Sequence, residues 1–101
     1  MNGEAPAAGK GESRRRVLVV GRVQGVGFRA WTARRATQLG LRGRVRNVRD
    51  GSVEIEVTGD RPSVDRLIEL VRRGPSSAHV REMIECAPGG DPLPAAFEVG
   101  F

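Results

Sequence analysis

An arginine beside closely spaced glycines is the feature of this sequence best suited to chemistry. The stretch Gly21-Arg22-Val23-Gln24-Gly25-Val26-Gly27-Phe28-Arg29 carries three glycines within seven residues. Glycines let a backbone take positive φ and come close to a ligand. Arg16-Val17-Leu18-Val19-Val20, just ahead, is a β-branched run of strand length, and Phe28 to Leu39 holds no Gly or Pro and has the pattern of a helix. A loop from a strand end to a helix start offers unpaired N–H groups and the positive end of the helix dipole, which suits an anion. Arg29 falls in the first helical turn, where a cation is mildly unfavourable against the dipole. A guanidinium there could reach back and grip a phosphate or carboxylate in bidentate fashion, or it could be one more solvated surface arginine. The residues alone leave both readings open.

Other anion loops fit less well. No G-x-x-x-x-G-K-[ST] string occurs, which removes a nucleotide P-loop. Gly25-Val26-Gly27-Phe28-Arg29-Ala30 satisfies G-x-G-x-x-A, but 101 residues are too few for a dinucleotide-binding domain. The single cysteine, Cys86, cannot form an internal disulfide, and with only His79 for company it makes no metal set. It is expected to be buried and inert. No metal and no cofactor are expected.

The elements that must position the loop follow from periodicity. Helix one is expected over Phe28 to Leu39, with Phe28, Thr32, Ala36 and Leu39 on one face and Gly40 closing it. Trp31 is assigned to packing. Strand two is expected from Arg42 to about Arg49, with Gly43, Val45 and Asn47 on one face and the arginines on the other. Asn47 thus shares a face with an apolar neighbour, and a polar amide there needs a partner. Asp50-Gly51 signals a tight turn into an antiparallel strand three. In that strand Val53, Ile55 and Val57 face in, and Ser52, Glu54, Glu56 and Thr58 face out. Asp60 is a candidate N-cap for a second helix with the stripe Val64, Leu67, Ile68, Val71, which Gly74-Pro75 ends. Ala78 to Ala87 should be strand four, although Val80, Met83 and Ile84 cannot share one face without a bulge. Phe97, Val99 and Phe101 share a face of a short last strand. The order is β-α-β-β-α-β with a terminal strand. It predicts an α+β fold, a ferredoxin-like sandwich with an antiparallel sheet and two helices on one face.

Composition sets the surroundings. With 39% apolar and 29% charged residues the chain has an ordinary globular makeup. No apolar run approaches the roughly 18 residues of a membrane span, so no membrane partner is expected. Residues 1–13 are Gly/Ala-rich and lack the apolar core of a secretory signal. They are expected to be a disordered tail ahead of a domain over residues 14–101, and a cytoplasmic monomer is the default. Residues 14–50 hold eleven Arg against one Asp, whereas residues 51–101 hold five Arg against nine acidic residues. The positive excess lies in the half with the loop, where it raises the local concentration of an anionic ligand. A basic half also fits nucleic acid. RNA-recognition domains of this element order, however, stack bases on aromatic residues in strands one and three. Val17 to Val20 and Val53 to Val57 contain none, so no specific nucleic-acid partner is expected.

Together the string Val19-Val20-Gly21-Arg22-Val23-Gln24-Gly25-Val26-Gly27-Phe28-Arg29, the series Leu39-Gly40-Leu41, Gly43, Val45, Asn47, and the pair Asp50-Gly51 before Val53 closely resemble the acylphosphatases. The resemblance covers about residues 15 to 101. It implies hydrolysis of the carboxyl–phosphate bond of a small-molecule acyl phosphate to a carboxylate and inorganic phosphate. By that resemblance Arg29 binds the phosphate, Asn47 orients the attacking water, and backbone N–H groups of Gln24, Gly25, Val26, Gly27 and Phe28 cradle the phosphoryl oxygens. Arg44 stands where the family commonly has an aromatic residue, and Phe101 where Tyr is frequent. Acylphosphatase-like domains also occur in larger proteins beside zinc-finger and transferase segments. A single Cys and an end at Phe101 favour a standalone enzyme over a ligand-binding module of that kind.

Overall fold

The computed structural model describes residues 12–100. In order they form β1 (Glu12–Arg22), α1 (Phe28–Gln38), β2 (Arg42–Asn47), β3 (Val53–Asp60), α2 (Arg61–Arg73), β4 (His79–Cys86) and β5 (Phe97–Val99). The tail expected over residues 1–13 lies outside the described residues except at its last two positions, and Phe101 lies outside them as well. Glu12 and Ser13 belong to β1, where they pair with Asp60 and Gly59, and Thr58 Oγ1 donates to the Ser13 carbonyl. β3 is long enough to give both residues partners.

The sheet has strand order β4-β1-β3-β2-β5. The pairs β4–β1, β1–β3 and β3–β2 are antiparallel, and β5 adds alongside β2 in parallel. The antiparallel sandwich expected from the sequence is therefore present, with a parallel edge that the residue pattern did not reveal. Both helices pack on one face. Val17 and Val19 of β1, Val45 of β2 and Val53, Ile55 and Val57 of β3 meet Phe28, Thr32 and Ala36 of α1 and Val64, Leu67, Ile68 and Val71 of α2. Fully burying an aliphatic or phenyl side chain of this kind contributes about 1.5–3 kcal/mol. Trp31 packs half-buried against this core, its ring 5.7 Å from that of Phe28. Asp60 stands at the N-cap of α2 but makes no side-chain capping bond, so its capping role is not realised.

The other face of the sheet differs from expectation. Ser52, Glu54, Glu56 and Thr58 do point away from the helices, yet all are buried, Glu54 at 8% and Glu56 at 5% exposure. The cause is β3's central position. Arg14 and Arg16 on one neighbouring strand and Arg46 on the other fold over it, and the segment after β4 closes on top. Glu56 Oε2 accepts from Arg14 Nε at 3.0 Å and from the Gly89 N–H at 2.7 Å, and Arg14 Nη2 donates to the Asp91 carbonyl at 2.6 Å. Glu54 accepts from Arg16 Nε and Arg46 Nε, each at 2.6 Å. These bonds hold the connection that leads into β5.

The pairing explains the imperfect alternation of β4. Its register shifts against β1 between Val20 and Gly21, where Val20 faces Glu82 and Gly21 faces Val80. Arg81 is the extra residue of a bulge. Val80 and Met83 therefore both reach the core, and Ile84 turns to the open face at 40% exposure. Cys86 is half-buried rather than buried, because its strand lies at the sheet edge.

Candidate active site

The loop between β1 and α1 is anchored by its apolar residues and freed by its glycines. Val23 is 1% exposed, and Val26 packs half-buried against the core. Between and after them Gly25 and Gly27 take φ of 75° and 79°, the left-handed region that side-chain-bearing residues avoid. Gly27 serves as the N-cap of α1, which has no side-chain cap and no acidic residue in its first turn. Most helix starts are satisfied by a Ser, Thr, Asp or Asn side chain. Among the described residues, no hydrogen bond uses an N–H of residues 24–28 as donor. The loop is thus a run of backbone donors at the positive end of a helix dipole.

Arg29 sits one residue into α1 and lines a cleft of about 170 Å³ with Val23, Gly25, Gly27, Phe28, Ala30 and Val99. Its Nη1 donates to the Gly100 carbonyl at 2.5 Å, so the segment after β5 holds the guanidinium at the loop. Four of the expected site residues, Gly25, Gly27, Phe28 and Arg29, are brought together here. Val26 and Gln24 belong to the same loop but do not line the cleft. The Val26 carbonyl accepts from Ser77 Oγ at 2.9 Å, which fixes that peptide from the far side.

Asn47 ends β2 opposite Val53, on the helix side with Val45, as the alternation required. It too is not among the cleft-lining residues. Its Oδ1 is buried and has no hydrogen-bond partner among the described residues. The strand end is tied to the loop by Gln24, whose Nε2 donates to the Val48 and Ser52 carbonyls, both at 2.8 Å. The turn between them is closed by the Val48 N–H to the Ser52 carbonyl, and Asp50 Oδ1 accepts from both the N–H and the hydroxyl of Ser52. The Ser52 hydroxyl and N–H hold the Asp50 carboxyl below its usual range. Arg44 lies on the opposite face of β2, in the polar cleft with Arg46, Glu54 and Glu56, so this departure from the family pattern falls outside the loop site.

Sequence reasoning missed Val99 and Gly100 as site neighbours. Val99 is 47% exposed because it forms a wall of the cleft. Alternation placed it on one face with Phe97 and Phe101, but only the parallel docking of β5 beside β2 delivers it to the loop. No signal in the strand itself points there.

Fold and loop together define a ferredoxin-like α+β domain with a row of backbone donors at the end of its first strand. A family model for the acylphosphatases matches residues 15–98, and the chain belongs to the acylphosphatase family. It is 53% identical over 79 residues to an acylphosphatase of Rhodopseudomonas palustris, covering 78% of this chain and 80% of the relative. It is 45% identical over 89 residues to one of Halorhodospira halophila, covering 88% and 96%. The structure of an acylphosphatase from Coxiella burnetii superposes with a TM-score of 0.78 at 34% identity, covering 91% of this chain and 96% of that one. The chain is accordingly a hydrolase of acyl phosphates. No helix among the described residues is long and apolar enough to cross a membrane.

Proposed function

We propose that hydrolysis proceeds by attack of water on a phosphoryl group held between the backbone donors of residues 24–28 and the guanidinium of Arg29. The observation that carries this reading is the row of N–H groups of residues 24–28 without an acceptor among the described residues, of which Gly25, Gly27 and Phe28 line the same cleft as Arg29. Charge on the phosphoryl oxygens is met by fixed dipoles and a cation, which need no reorganisation as the bond breaks. The phosphoryl group passes through a loose transition state, so positioning and charge stabilisation can carry the reaction. The leaving carboxylate has a conjugate acid of pKa about 4, so it departs without a general acid. Asn47 orients the water. Its buried, unpartnered Oδ1 supports this role, since such an acceptor is costly unless it finds a hydrogen. This chemistry calls for no metal and no histidine base.

The substrate is a small acyl phosphate. The same reading takes the protein as a cytoplasmic monomer with its catalytic domain beginning at β1, and without a specific nucleic-acid partner, since β1 and β3 carry no aromatic residue. The test is an assay of a generic aryl acyl phosphate in chelator, following loss of the anhydride for the parent and for Arg29→Ala. Rapid turnover by the parent and near-background turnover by a folded variant are expected. A variant as active as the parent would remove Arg29 from the site.

A further inference from the structure

The Gln24 side chain does not face the cleft. Its amide nitrogen carries two protons, and each is donated to a different carbonyl, Val48 and Ser52, at 2.8 Å. These two carbonyls flank the β2–β3 turn, and the first belongs to the residue directly after Asn47. An amide NH₂ facing two carbonyls also fixes which end of the side chain is which. Gln24 itself precedes Gly25 in the loop, so one side chain joins the backbone that cradles phosphate to the strand end that carries Asn47. No other side-chain hydrogen bond among the described residues joins the loop to this turn.

From this we propose that Gln24 is a positioning residue for the hydrolytic step. Its double hydrogen bond sets where Asn47 stands relative to the phosphoryl group, and it acts through Asn47 rather than on the substrate. The proposal rests on the water-orienting role given to Asn47 above. Both carbonyls already accept from the turn itself, Val48 from the Gly51 N–H and Ser52 from the Val48 N–H. The turn can therefore close without Gln24. What Gln24 adds is the register between turn and loop, and a small displacement of an attacking group is enough to cost a large factor in rate.

The experiment is a mutant cycle read as kcat, KM, inhibition by inorganic phosphate, and thermal midpoint. It compares the parent, Gln24→Ala, Gln24→Met, Asn47→Ala, and the Gln24→Ala/Asn47→Ala double variant. Gln24→Ala is expected to lower kcat about tenfold while KM and phosphate inhibition stay within about twofold, because the backbone donors and Arg29 remain. Gln24→Met, which keeps length and packing but has no donor, should lose as much. In the Asn47→Ala background the Gln24 substitution should change kcat little. Equal losses in both backgrounds, or a loss in phosphate binding in place of kcat, would overturn the proposal. So would parental kcat in Gln24→Met. An Asn47→Ala variant with parental kcat would overturn the water-orienting reading and this proposal with it, and that result is visible in the single variant alone.

Discussion

Arg14, Arg16 and Arg46 lie across the open face of the sheet and end on the carboxylates of Glu54 and Glu56. Arg29, at the far end of β1, ends on a backbone carbonyl beside N–H groups that nothing among the described residues accepts. The same side chain is used in two ways. On the open face these three guanidinium charges meet internal carboxylates, and the product is a clamp on the segment that leads into β5. At the loop, Arg29 donates to the Gly100 carbonyl, and the product is a guanidinium held beside a row of backbone N–H groups. Counting arginines cannot separate the two jobs, because the difference lies in what each guanidinium finds across the fold.

The sharpest way to break this contrast is to remove one arginine from each region. Arg29→Ala should lower kcat/KM about 10²–10³-fold, the scale for losing a transition-state donor, with the thermal midpoint near that of the parent. Asn47→Ala comes next, with kcat down about 10²-fold, phosphate inhibition kept and the fold intact; steady-state kinetics with phosphate as inhibitor checks both. Arg14→Ala should do the reverse. It leaves buried Glu56 with only the Gly89 N–H, so the urea midpoint should fall by about 2 kcal/mol of stability, and turnover per folded molecule should stay within about threefold. A loss of activity without a loss of stability in that variant would contradict the division of labour.

Acid gives the mildest test. Burial pushes the Glu54 carboxyl up, but the hydrogen bonds and charges of Arg16 and Arg46 outweigh it and hold it below its usual value. Glu85 is also lowered, chiefly by its hydrogen bond to Arg15. A carboxyl lowered in the folded state stabilises the protein fully above its unfolded pKa, about 4.3. That contribution fades as pH falls through the unfolded value toward the lower folded one. Thermal midpoints should therefore hold from pH 7 to about 5 and decline below about 4. Glu54→Gln should flatten the decline.

Much of this was legible in the residues. Alternation in Val53-Glu54-Ile55-Glu56-Val57 and the helical stripe of Val64, Leu67, Ile68 and Val71 identify elements directly, because periods of two and of about 3.6 are set by local backbone geometry. The glycine loop and Arg29 could be named for the same reason, since positive φ and a helix start are local properties. The buried state of Glu54 and Glu56 could not, because a strand's outward residues look alike whether water or arginines cover them. The bulge at Arg81 was visible only as a conflict, and pairing with β1 resolved it.

By itself the sequence determined the order of elements, the inward faces and the position of the glycine loop, all of which follow from interactions within a few residues along the chain. Only the tertiary structure decided which arginines are spent on carboxylates, that β5 docks in parallel and brings Val99 and Gly100 to Arg29, and that Gln24 joins the loop to the strand end bearing Asn47. Apart from the Arg46–Glu54 pair, 8 residues apart across the hairpin, those partners are 24 to 71 residues apart in the chain, and such distant groups meet only when the packed sheet fixes where each strand end lies.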